Sequence, residues 1–328
     1  MILCRKNRTP GSFSNWKKIS RRIKLNFLST ILLTLGLLVG GCEQKEIPKK
    51  VNLDRRAPLP APYNPQHEIK SLKFGFDLRL GPKEDVRIYQ PFLLYLEQNV
   101  EKKFSLRFSE KYEDTAENLG KGITHFAAIG PVNSILAKRS YGIGCLVMGL
   151  NSEGKPEYRA ALITRIDSQL RDIDDLRGKS FAFGDRFSTQ GHVIPRQMLE
   201  ESRITLKDLK NYVFSGSHAN TARLVLNGEY DAGGIQDTLA QRLSAERKVK
   251  ILAISKPYPC SLICYTKDVD PAIVRRVKAV LLSFDPMGKH AAILKDWDRT
   301  EMPHGFTEYQ KGSLAEIKEL CDRYGLLK

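Results

Sequence analysis

Residues 179–195, KSFAFGDRFSTQGHVIP, carry a short apolar run through a glycine turn into hydroxyl residues and then a helical pattern. Residues 212–222, YVFSGSHANTA, repeat the arrangement. A strand that feeds straight into a helix leaves several backbone N–H groups without partners at the turn and puts the positive end of the helix dipole there. Such a turn favours a bound anion. Two of them close together point to a fold in which strands and helices alternate and the turns gather at the carboxyl ends of the strands.

The alternation runs through the body of the chain. Strand patterns fall at 72–76, 104–108, 125–129, 144–150, 159–164, 180–183, 212–214, 231–235, 249–254 and 262–265. Helical patterns fall at 89–102, 115–120, 132–138, 193–201, 219–227 and 238–246, and Asp270 with Pro271 starts another over 271–284. The expected fold is therefore α/β, each lobe a mixed, mostly parallel sheet flanked by helices. Crossings near 160–164 and 261–265 bracket an inserted lobe, which makes a cleft between lobes the place for a ligand. The expected division is 69–164 with 266–328 as the first lobe and 165–265 as the second.

The first 41 residues hold eight Lys and Arg with no Asp or Glu, then an apolar run ending Val39-Gly40-Gly41-Cys42. A basic region, an apolar region and small residues before a processing point describe an export signal. The run is about 25 Å long as a helix, short of a ~30 Å hydrocarbon core. The ending resembles a bacterial lipobox, with Cys42 as the lipidated mature N-terminus; a plain cleaved signal or an uncleaved anchor is the alternative. Residues 42–68 bring Pro48, Pro58, Pro60, Pro62 and Pro65 among charges and read as an extended tether. Half of the net charge of +16 leaves with the signal, and the rest is spread without any nucleic-acid-binding pattern. Cys145, Cys260, Cys264 and Cys321 remain in an oxidising compartment, where disulfides are permitted but not dictated. Cys260 and Cys264, four apart in a strand, lie ~13 Å from each other and cannot pair together.

Four turns are expected to open helices: Tyr89-Gln90-Pro91, Gly130-Pro131, Ser188-Thr189-Gln190-Gly191 and Ser217-His218. Each serine or threonine also reads as an ordinary N-cap, worth about 1 kcal/mol. All four facing one cleft would form a clamp of neutral donors. His218 reads either as a core histidine or as a donor that titrates with the ligand. The chain has no GxSxG elbow, no HExxH and no complete phosphate-binding P-loop, so neither catalysis nor a metal or cofactor is expected.

GDRFSTQGHVIP (184–195), SGSH (215–218), LNGEYDAG (226–233) and HFAAIGP (125–131) together resemble the substrate-binding proteins of phosphate, phosphite and phosphonate ABC importers, which are type II periplasmic binding proteins. The resemblance implies that Ser188, Thr189, His218 and Tyr89 grip the oxyanion. Gly130 and Gln190 are expected beside them. Gln236 stands about where the family carries an acidic residue for an aminoalkyl group, and Ser134 replaces an aromatic. The expectation is a lipid-anchored periplasmic receptor, monomeric, that binds a small oxyanion and serves an ABC permease. A ligand-sensing lipoprotein of the same fold, coupled to a membrane signalling partner, is the alternative.

Overall fold

Gly81 and Pro82 start the first helix. Pro82 takes the first helical position, where a missing N–H costs nothing, and Gly81, at φ 108°, turns the chain into it. The Asp85 carboxylate reaches back to accept the N–H groups of Arg79 (3.0 Å), Leu80 (3.3 Å) and Gly81 (3.1 Å). The helix therefore runs Pro82–Val100, and Tyr89 and Pro91, expected to open it, lie inside it. Phe92, Leu93, Tyr95 and Leu96 bury its face against the sheet, which offsets the hydrogen bond that Pro91 cannot donate. The computed structural model describes residues 71–107 and 114–327; the expected signal (1–41) and tether (42–68) lie outside the described residues.

Six strands form one sheet, in the order Phe306–Glu308, Gly144–Gly149, Leu262–Tyr265, Phe126–Ile129, Leu72–Phe76, Phe104–Leu106. Five form a second, in the order Val249–Ile254, Ala160–Arg165, Ala232–Gln236, Ser180–Phe183, Asn211–Phe214. Leu72–Phe76 pairs in parallel with both its neighbours, as does Ser180–Phe183; every other pair in the two sheets is antiparallel. The sheets are thus mixed, and less parallel than the alternating pattern suggested. Every antiparallel pair of the two sheets involves Gly144–Gly149, Ala160–Arg165 or Leu262–Tyr265, the strands next to the crossings between sheets.

Glu157–Tyr158 and Tyr258–Pro259 pair antiparallel where the chain enters and leaves the second sheet. Ala160–Arg165, expected to close the first lobe, belongs to the second sheet, and Leu262–Tyr265, expected to close the second lobe, belongs to the first. Both strands are almost fully buried, so their apolar pattern suits either sheet. Phe74 of the first sheet meets Phe92 edge-on, and Phe92 in turn packs against Trp297, Phe284 and Phe306. Phe181, Phe183, Ile163 and Ile235 are buried in the second. Cys145 and Cys264 face each other in neighbouring strands of the first sheet and form a disulfide, while Cys260 and Cys321 are free and buried.

Candidate functional site

Three of the expected turns open helices. At the first, Gly130 precedes the helix Pro131–Tyr141, with Pro131 at the position that needs no N–H. The Asp77 carboxylate fixes this turn by accepting Gly130 N–H (2.8 Å) and Asn133 Nδ2 (2.9 Å). Ser134 donates to the Pro131 carbonyl (2.7 Å) and stays within its own helix.

At the second, Ser188 Oγ accepts the Gly191 N–H (2.9 Å), capping a π-helical turn, Thr189–Val193, that leads into the helix Ile194–Glu201. The turn fits because two glycines touch. A Cβ on Gly191 would lie 2.9 Å from both Gly184 Cα and Ser188 Oγ, and Gly184 N–H donates to the Gly191 carbonyl (2.7 Å). At the third, Ser217 Oγ caps the helix His218–Leu226 by accepting Asn220 N–H (3.1 Å).

These turns meet across the two sheets. Val132 N–H, from the first turn, donates to Thr189 Oγ1 of the second (3.1 Å). Thr189 is also hydrogen-bonded to Tyr158 in the crossing strand. Ala219 N–H, from the third turn, donates to the Arg79 carbonyl (3.2 Å). Gln190 Nε2 (2.8 Å) and Asp237 N–H (3.2 Å) share the Arg159 carbonyl, which holds the Ser188 turn against the end of the strand carrying Gln236. Gln236 gives its Nε2 to Thr238 (3.1 Å) and leaves Oε1 buried without a partner.

Two sequence expectations change. His218 is 2% exposed with Nδ1 unpartnered, and burial, reinforced by the Arg79 charge, pushes its pKa down to about 3. It is neutral at physiological pH. Tyr89 stacks on Phe76 (4.7 Å between centroids) and meets Trp297 edge-on, within the aromatic core of the first sheet. The tyrosine that does stand just ahead of a helix in this half of the chain is Tyr112, two residues before Asp114–Gly120, outside the described residues.

The residue that sequence reasoning missed is Arg79. It is 6% exposed and forms an ion pair with the buried Glu301, while Ser261 Oγ accepts from Arg79 (3.2 Å) and donates to Glu301 (2.7 Å). Its charge acts on His218, Tyr89, Tyr158 and Cys260, so those side chains gather around it. A lone arginine beside Asp77, in the connection from strand to helix, was the available signal.

The arrangement brings helix-end N–H groups, hydroxyls and a neutral imidazole into one region. Residues 74–311 match the model of a family described as the periplasmic substrate-binding protein of phosphonate ABC transporters. The chain belongs to this family. Its members are binding proteins rather than enzymes. The chain is 22% identical over 247 residues to the phosphonates-binding periplasmic protein of Escherichia coli K12, covering 72% of this chain and 73% of that one. It is 24% identical over 171 residues to the phosphate-import protein PhnD of Mycolicibacterium smegmatis, 48% of this chain, and that match spans about half (53%) of the relative's length. The fold is shared with PhnD1 of Prochlorococcus marinus, solved in complex with methylphosphonate: TM-score 0.69 at 19% identity, over 80% of this chain and 99% of that one.

Proposed function

We propose that this protein is the ligand receptor of an ABC importer, held at the outer face of a bacterial membrane by lipid on Cys42, and that it closes on the oxyanion head of a phosphonate, phosphite or phosphate. The two sheets would act as lobes hinged at the crossings, Glu157–Tyr158 and Tyr258–Pro259. The observation that carries the reading is that helix-end N–H groups reach oxygens from the other sheet's elements, Val132 to Thr189 Oγ1 and Ala219 to the Arg79 carbonyl. A phosphorus oxyanion offers the same acceptor chemistry with more charge, which suits the positive ends of those helices. Arg79 adds little net charge because Glu301 balances it, so the grip rests on oriented neutral donors.

The test is calorimetry or thermal shift against phosphate, phosphite, methylphosphonate, 2-aminoethylphosphonate and sulfate. A ligand at ~100-fold excess over Kd stabilises the native state by roughly 2.7 kcal/mol. Silence across the phosphorus oxyanions overturns the reading. Fatty-acid labelling of the wild type, absent from Cys42→Ser, tests the anchor.

A further inference from the structure

A cavity of about 190 Å³ opens beside the oxyanion turns, with Leu80, Gln236, Thr238, Arg242, Asp298 and Arg299 in its wall. Its position is fixed by two bonds already described. Gln236 directly precedes Asp237, which shares the Arg159 carbonyl with Gln190 of the Ser188 turn. Leu80 directly follows Arg79, whose carbonyl takes the Ala219 N–H. A ligand whose head lies at the turns would extend its tail here. Since one water occupies about 30 Å³ in the liquid, there is room for a group of several heavy atoms.

The chemistry of the wall is that of an anion site. We propose that this cavity receives a carboxylate on the ligand's tail, held by Arg242 with Arg299, so that the preferred ligand is a carboxyalkyl phosphonate such as phosphonoacetate; this rests on the oxyanion reading above. Arg242 is half-buried and pairs with no carboxylate among the described residues, although Glu246, Glu84 and Asp298 contribute longer-range attraction. Burial and the like charge of Arg299 both press its pKa downward, a strain that an incoming anion would relieve. Arg299 pairs with Glu84, which Arg87 also shares. The Gln236 amide is 1% exposed, with one end on Thr238 and the other without a partner. Because a threonine hydroxyl donates as readily as it accepts, this amide can turn its NH2 to a carboxylate. An ammonium tail would instead face the guanidinium groups of Arg242 and Arg299, with Asp298 exposed in the wall and Glu84 already held by Arg299.

Calorimetry at pH 7.5 compares phosphonoacetate, methylphosphonate and 2-aminoethylphosphonate on the wild type, Arg242→Gln and Arg242→Lys. The expected result is phosphonoacetate at least tenfold tighter than methylphosphonate in the wild type. That ratio should fall to about one in Arg242→Gln and be partly kept in Arg242→Lys. Methylphosphonate binding without a carboxylate gain, tightest binding of 2-aminoethylphosphonate, or a ratio that survives Arg242→Gln each overturns the tail site and leaves the oxyanion reading standing. No binding of any of the three also overturns the tail site, and the oxyanion reading falls with it only if phosphate and phosphite are silent too.

Discussion

The Arg79 guanidinium and the Glu301 carboxylate pair with only 7% and 1% of their side-chain surfaces exposed. The pair is braced by Ser261 and surrounded by His218, Tyr89 and Tyr158. A charge at such depth is tolerable only with its partner, and removing one member typically costs 3–5 kcal/mol because the other stays buried. Glu301→Leu should therefore lose about 3 kcal/mol or more in urea unfolding. Arg79→Met combined with Glu301→Leu should recover most of that loss. A double variant whose losses simply add would show that the two charges are not coupled.

Gly191 predicts a sharper lesion. A methyl group there would meet Ser188 Oγ and Gly184 Cα, both at 2.9 Å. Gly191→Ala should lower stability by about 1–3 kcal/mol through overpacking and dislodge the Ser188 cap. Methylphosphonate should then produce a much smaller thermal shift than in wild type. A normal shift would mean that the Ser188 turn does not shape the site.

The histidines give a pH dependence with a defined sign. His218 titrates near 3 and His192 near 4 in the folded protein, both depressed chiefly by burial, against about 6.5 when unfolded. Between those limits the unfolded chain binds more protons, so their contribution is complete above pH 6.5 and is lost as pH falls through the folded values. Asp85 and Asp237, raised to about 6 by burial, act in the opposite direction over part of this range. The quantity to read is thus the difference between wild type and His218→Gln. The variant should lose less stability between pH 6.5 and 4.5, and equal losses would place the imidazole in solvent.

The Cys145–Cys264 bridge joins residues 119 apart. Closing a loop that long restricts the unfolded chain, and such bonds typically contribute 2–4 kcal/mol. Cys145→Ala with Cys264→Ala should fall by about that amount and become insensitive to reductant. Cys260 and Cys321, whose thiols burial pushes up to about 12, should resist alkylation until the protein unfolds.

Where local chemistry decides an element, the sequence was readable. Ser180–Phe183, Val249–Ile254 and Leu262–Tyr265 fall where their apolar runs predict, and Asp270 caps the helix Pro271–Leu282 by accepting Ala272 N–H (2.6 Å). The Ser188 and Ser217 caps were legible for the same reason. Tyr89 misled because Pro91 resembles a helix start, while the real start lies in Pro82 and the Asp85 carboxylate. The pairing of Cys145 with Cys264, the ion pair of Arg79 with Glu301 and the sheet that Ala160–Arg165 joins all depend on contacts between distant segments. No local pattern encodes those.

The sheet order carries a consequence for assembly. Every strand of the second sheet lies within Ala160–Ile254, whereas Leu262–Tyr265, which joins Phe126–Ile129 to Gly144–Gly149 in the first sheet, comes later in the chain. A chain emerging from its N-terminus completes the inserted sheet while the enclosing one still has a gap at its middle. The earlier strands must wait, apolar faces uncovered, until Leu262–Tyr265 emerges, and Cys145 finds its partner only at that moment. Closure of the disulfide therefore marks the entry of the middle strand into the outer sheet, with the edge strand Phe306–Glu308 still to come.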